Sequence, residues 1–120
     1  RLMKMRELPH DHGESARVLE QFQREEDFRL AAEVFKQFAD TTRVRIFWLL
    51  CHYESCVINI SALLEISSPA VSHHLKALRQ SGLIVSRRGG KEVYYRASDT
   101  PVSRLAHQMI EQVMEVTCPE

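Results

Sequence analysis

The chain has little that would suit it to secretion, to a membrane or to catalysis. Its three cysteines, Cys51, Cys56 and Cys118, are too few and too irregularly spaced for a disulfide framework, and no C-x-x-C pair occurs. No apolar run approaches the roughly 18 residues of a membrane span, and the first residues are too polar for a signal peptide, so a cytoplasmic protein without membrane contact is expected. There is no internal repeat and no low-complexity tract. Nucleotide loops, nucleophile elbows and metalloprotease spacings are also missing, and no enzyme is expected. Net charge is absent too: 16 Lys and Arg balance 16 Asp and Glu, so no global basic field exists. What is present is 120 residues with 44% apolar content. That is enough for one domain with one core, to which a dimer would add a second buried surface.

The most informative stretch runs from Ser61 to Arg96, SALLEISSPAVSHHLKALRQSGLIVSRRGGKEVYYR. A short helix carries Ala62, Leu63 and Leu64 and has Asn59 or Ser61 available as a cap. After a turn at Ile66-Ser67-Ser68 a second helix begins, with Ser67 or Ser68 as N-cap and Pro69 in its first turn, where a missing N–H costs no intrahelical bond. Val71, Leu75 and Leu78 recur at spacings of four and three and form a buried stripe, which leaves Ser72, His73, Lys76, Arg79 and Gln80 facing outward. Gly82 supplies the left-handed residue that ends this helix. Leu83 to Arg88 and Lys91 to Arg96 are β-rich runs, and Gly89-Gly90 between them signals a hairpin turn. The pattern is a mainly α fold with a two-stranded β-hairpin wing, a winged helix-turn-helix.

Charge is concentrated where this unit would touch a partner. Between Ser67 and Arg96 stand six cations (Lys76, Arg79, Arg87, Arg88, Lys91, Arg96) and one anion, Glu92. An excess of five is the footprint expected of a phosphate-binding face; a charge run alone would suit a solvated hairpin as well, and it is the join with the capped helix and the Gly-Gly wing that points to DNA.

The surrounding segments are helical. Residues 1–13, with Pro9, His10, His12 and Gly13, lack periodicity and read as an arm, and residues 14–120 as a single domain. A first helix spans about Glu14 to Gln23, with Ser15 near its start and Val18, Leu19 and Phe22 on one side. A second, from Asp27 to Ala39 with Asp27 as cap, places Phe28, Ala31, Phe35 and Phe38 on a core face. Thr41 or Thr42 caps a third, in which Val44, Phe47, Trp48, Leu50 and Cys51 face inward, and which ends near His52-Tyr53-Glu54. Asp99 or Thr100 caps a last helix with Pro101 at its first position; Val102, Leu105, Met109, Val113 and Val116 form its apolar stripe with Ala106 and Ile110 beside them, to pack on the chain's own core or on a partner copy.

Ser68-Pro69-Ala70-Val71-Ser72-His73-His74-Leu75-Lys76-Ala77-Leu78, Ser81-Gly82-Leu83-Ile84, Gly90-Lys91-Glu92-Val93-Tyr94-Tyr95 and the upstream Phe38 to Ile46 closely resemble the ArsR/SmtB family of bacterial transcriptional repressors. The resemblance covers about Leu30 to Asp99. It implies a homodimer held by the first and last helices, binding an inverted-repeat operator in double-stranded DNA and released by a metal ion or another small signal. Ser68, Ser72 and His73 are then the base-reading candidates, and Lys76, Arg79, Arg87, Arg88 and Lys91 the phosphate contacts.

The family's two metal sites are incompletely represented. Cys56 matches the first of a cysteine pair, but Ile58 and Asn59 stand where a second cysteine and an acid are expected. Asp99 and Glu115 match a set on the last helix, but Pro101 and Gln112 replace its histidines. One thiolate and a proline do not make a soft-metal site. Other donors exist: His10 and His12 flank Asp11, and His107 and Glu111 stand one helical turn apart. A zinc, nickel or cobalt site drawing on these four residues is one expectation for the effector. A thiol-responsive repressor using Cys51, Cys56 or Cys118 is another, and a winged-helix protein-docking module is the alternative outside DNA binding.

Overall fold

The computed structural model describes residues 8–115. Along them run α1 (Ala16–Phe22), α2 (Glu25–Lys36), α3 (Thr41–His52), β1 (Ser55–Cys56), α4 (Val57–Leu64), α5 (Ser68–Gln80), β2 (Ile84–Gly89), β3 (Glu92–Ala97) and α6 (Pro101–Met114). Residues 1–7, Val116 and Cys118 lie outside the described residues. None of the described helices is long and apolar enough to cross a membrane. The chain divides into two compact units, the first ending at Val34 and the second beginning at Phe35.

In the first unit the Ser15 hydroxyl caps α1 by accepting from the Val18 amide. Glu25, Glu26 and Asp27 fill the first turn of α2, where carboxylates oppose the positive end of the helix dipole. The helix therefore starts before Asp27, which is a first-turn residue and not the cap. Phe22 and Phe28 meet edge-on with centroids 5.9 Å apart. The expected core face of α2 is not buried in the protomer: Phe28 and Phe35 are 55% and 60% exposed, and Ala31 is exposed as well. A stripe this narrow is buried only when another surface faces it.

The second unit holds the core. Ile46, Phe47 and Leu50 of α3 pack with Ile60 of α4, Val71, Leu75 and Leu78 of α5, and Leu83 and Ile84 at the start of the wing. Phe38 sits edge-on to Phe47 at 5.1 Å. Val44, Trp48 and Cys51, expected inside, are half-buried, while Ile46 is fully buried. Asp40 caps α3 in place of Thr41 or Thr42, its Oδ1 accepting from the Arg43 amide at 2.9 Å. Helix α4 starts at Val57 with Cys56 in the cap position and no side-chain cap bond. Neither Asn59 nor Ser61 caps it, and the Ser61 hydroxyl instead donates to the Ile66 carbonyl.

The sheet has three antiparallel strands in the order β1-β3-β2, one more than the hairpin expected. Ser55 and Cys56 pair with Tyr95 and Tyr94. A two-residue strand lies below what a periodicity can show. Gly89 pairs with Glu92, so the turn is Gly90-Lys91 and not Gly89-Gly90. Gly90 supplies the positive φ of +64° that the first central residue of such a turn requires.

Thr100 caps α6, with Pro101 in the first turn. Its buried residues are Ser103, Ala106 and Ile110, whereas Val102, Leu105, Met109 and Val113 of the expected stripe are 42–79% exposed. The polar Ser103 is inside because its hydroxyl lies 2.9 Å from the Leu83 carbonyl and 2.6 Å from the Ser98 hydroxyl, which reaches the Gly82 carbonyl at 2.7 Å. These contacts tie the start of α6 to the turn that follows α5.

Candidate nucleic-acid interface and candidate metal centre

Helix α5 is fixed by its first turn and by its apolar stripe. The Ser67 hydroxyl accepts from the Ala70 amide at 3.2 Å, Pro69 occupies the first turn, and Val71, Leu75 and Leu78 are buried. Ser68, Ser72, His73, Lys76 and Arg79 are all exposed. A shallow hollow of about 390 Å³, lined by Ser72, Leu75, Lys76, Arg79, Gln80 and Tyr95, lies between this helix and β3. The exposed side chains of this face are polar and cationic, with Leu75 and Tyr95 at the floor of the hollow.

At the wing, Arg88 and Lys91 are exposed. Arg87 is engaged by Glu54: its Nε donates to Glu54 Oε2 at 2.8 Å and its Nη2 to Oε1 at 2.5 Å, while the guanidinium lies 4.8 Å from the Tyr94 ring centroid. The paired hydrogen bonds hold the Glu54 carboxyl below its ordinary range and raise the Arg87 guanidinium. The charge of Arg87, expected on phosphate, is thus largely met within the protein.

The adjacent histidines of α5 divide as chemistry requires. His73 is exposed and His74 half-buried, their rings edge-on at 5.5 Å. Arg43 Nε donates to His74 Nδ1 at 3.2 Å while its Nη1 donates to Gln37 Oε1 at 2.8 Å. Burial lowers the His74 pKa below its usual value; Asp40 opposes this, and Arg43 and His73 add to it.

A second cluster stands where α3 and α6 pack together. His107 Nε2 lies 3.2 Å from Glu111 Oε2 and 3.2 Å from His52 Nε2, and His52 Nε2 lies 3.5 Å from the same Glu111 oxygen. Trp48 Nε1 donates to that oxygen at 3.1 Å, and the Trp48 and His52 rings pack 4.2 Å apart. The three side chains are only 13–22% exposed. Two imidazole nitrogens and a carboxylate oxygen lie close enough together that they could hold one metal ion. His10 and His12, expected to share a site with His107 and Glu111, are exposed residues of the first unit with stacked rings 5.9 Å apart. Cys51 is half-buried and Cys56 buried.

The description "bacterial regulatory protein, arsR family" matches residues 40–86, from the Asp40 cap through α5 into β2. The cadmium resistance transcriptional regulatory protein CadC homolog of Staphylococcus aureus is 37% identical over 86 residues, covering 71% of this chain and 71% of that protein. The chain belongs to the ArsR family. The transcriptional repressor SmtB homolog of Synechocystis sp. is 37% identical over 84 residues, 70% of this chain and 64% of its own length, so the chain spans just under two thirds of that relative. A homodimeric winged helix-turn-helix DNA-binding domain from Mycobacterium bovis superposes with a TM-score of 0.66 at 28% identity, covering 88% of this chain and 91% of that one.

The stretch shared with the ArsR family model ends at Ser86, so His107 and Glu111 lie beyond it. His52 was missed from the sequence because nothing in its spacing ties it to residues 55 and more positions away. Only its place at the end of an amphipathic helix, one turn after Trp48, marked it out.

Proposed function

We propose that the chain is a dimeric transcriptional repressor that binds an inverted-repeat operator through α5 and the wing and is released by a divalent metal ion. The observation that carries the reading is the division of α5: Val71, Leu75 and Leu78 are buried, and Ser68, Ser72, His73, Lys76 and Arg79 are presented together. Short polar groups near the start of the helix suit base edges, while Lys76, Arg79, Arg88 and Lys91 suit phosphates. A docking module would more often expose aromatic or aliphatic anchors on this face. Two apolar surfaces, Val18, Phe22, Phe28 and Leu30 in the first unit and Val102, Leu105, Met109 and Val113 on α6, support a second copy as partner.

The test is fluorescence anisotropy of the reduced, metal-stripped protein on duplex DNA from its own upstream region and on a scrambled duplex. The expected result is preference for the upstream duplex, weakening steeply with salt. Ser72→Ala combined with His73→Ala should remove the preference and leave the dimer intact. Binding without sequence preference or salt dependence would overturn the reading in favour of protein docking. Release by a mild oxidant and not by metal would move the effector to Cys51, Cys56 or Cys118.

A further inference from the structure

We infer that His52, His107 and Glu111 form a binding site for one borderline-soft divalent ion, of the zinc, cobalt and nickel class, within a single protomer. The argument is geometric. A tetrahedral ion with nitrogen and oxygen ligands at about 2.0–2.1 Å has ligand-to-ligand edges of about 3.3–3.4 Å. The three edges here are 3.2, 3.2 and 3.5 Å. Magnesium in its octahedral shell at about 2.0–2.1 Å would need edges near 2.9 Å and oxygen donors, so two imidazoles point away from it. The triangle is one face of a tetrahedron, and the fourth position is left for water or another small ligand.

The surroundings are those of a ligand set. His107 and Glu111 are held one turn apart on α6, which directs both at the same point. His52 comes from the last turn of α3. The indole N–H of Trp48 fixes the Glu111 oxygen from α3, as an outer hydrogen bond orients a ligating carboxylate. The two imidazole Nε2 atoms lie 3.2 Å apart, so one ion could take a lone pair from each. Trp48 is therefore a positioning residue, and the three ligands come from two helices that the ion would clamp.

The clamp would have a path to α5. Arg43, at the other end of α3, donates to His74 of α5, and Ser98 and Ser103 join the start of α6 to the Gly82-Leu83 turn after it. This regulatory consequence rests on the repressor reading, whereas the site itself does not.

The metal-stripped 120-residue chain is titrated with cobalt and with zinc, followed by cobalt d–d absorption and by competition with a chelator. One ion per protomer with a tetrahedral cobalt spectrum is expected. His52→Gln, His107→Gln and Glu111→Gln should each lower affinity at least tenfold, and Trp48→Phe, which keeps the ring and loses the N–H, by about 10-fold or more. His10→Gln with His12→Gln should leave it unchanged. Thermal melts of the metal-free variants separate loss of ligand from loss of fold. Failure of the wild-type chain to take up either ion, or unchanged affinity in His52→Gln with His107→Gln, overturns the site. Operator binding by the same metal-free sample is read in parallel: DNA binding without metal uptake removes the site and leaves the repressor, and metal uptake without DNA binding does the reverse.

Discussion

Arg43 Nε donates to His74 Nδ1 at 3.2 Å, which requires a lone pair on that nitrogen and therefore a neutral imidazole. The bond joins the first turn of α3 to the middle of α5 beside the exposed His73. Burial and the guanidinium together lower the His74 pKa from 6.5, against the opposing pull of Asp40. Because the folded value lies below the unfolded one, the unfolded chain binds more protons as pH falls. Stability from this group is fully present above pH 6.5 and is lost as pH falls below it. Urea unfolding at pH 7.5 and 5.5 should show the wild-type chain weaker at the lower pH, and His74→Asn should flatten that difference. Asp40 and Glu54 do not interfere in this window: their values are lowered from 3.8 and 4.5, so their contributions are lost only in more acid solution. An identical pH dependence in His74→Asn would show that another group titrates.

On the proposed reading, the Glu54–Arg87 pair would set how much of the wing's charge is available to DNA. Glu54→Gln removes the carboxylate and leaves Arg87 its full charge at the edge of the sheet. The thermal midpoint should change little, because Arg87 is 57% exposed and such pairs are weak in water. The slope of log affinity against log salt on duplex DNA should steepen by about one, the increment for one more phosphate contact. An unchanged slope would place Arg87 outside the interface altogether.

The architecture was legible where local chemistry is strong. Ser67, Pro69 and Gly82 mark both ends of α5, the apolar spacing of Val71, Leu75 and Leu78 gives its buried side, and Thr100-Pro101 opens α6. What escaped depends on long-range pairing. Strand β1 is two residues long and exists only because Tyr94 and Tyr95 pair with it. The Asp40 cap was passed over for the threonines beside it. On α6 the inner face carries a serine whose partners, Leu83 and Ser98, are not adjacent in sequence. The His107–Glu111 pair on one helix was visible in the spacing, and His52, which the fold brings beside it from another helix, was not.

That buried serine gives a stability prediction. Ser103 is 2% exposed, and its hydroxyl lies within hydrogen-bond distance of both the Leu83 carbonyl and the Ser98 hydroxyl. Ser103→Ala should cost about 1–2 kcal/mol in urea unfolding, since a buried polar group loses a partner. Ser103→Val should cost more, because its branched side chain adds volume where Leu83 and Ser98 already pack. A cost near zero for both would mean that the α6 start is not held by this network.

The outward stripe of α6 tests the dimer without touching the fold. Leu105 is 64% exposed and Val113 79%, so Leu105→Glu with Val113→Glu removes no buried contact from the protomer. A charge set into an apolar interface between copies is uncompensated and costly, so the variant should sediment as a monomer at concentrations where the wild-type chain is dimeric. Its unfolding midpoint measured at matched low concentration should stay near that of the dissociated wild-type chain. Operator affinity should fall by at least tenfold, because one α5 would engage one half-site where two engage the inverted repeat together. A double variant that still sediments as a dimer would assign the interface to a different face of the molecule, with the exposed Phe22, Phe28 and Leu30 of the first unit as the next surface to change.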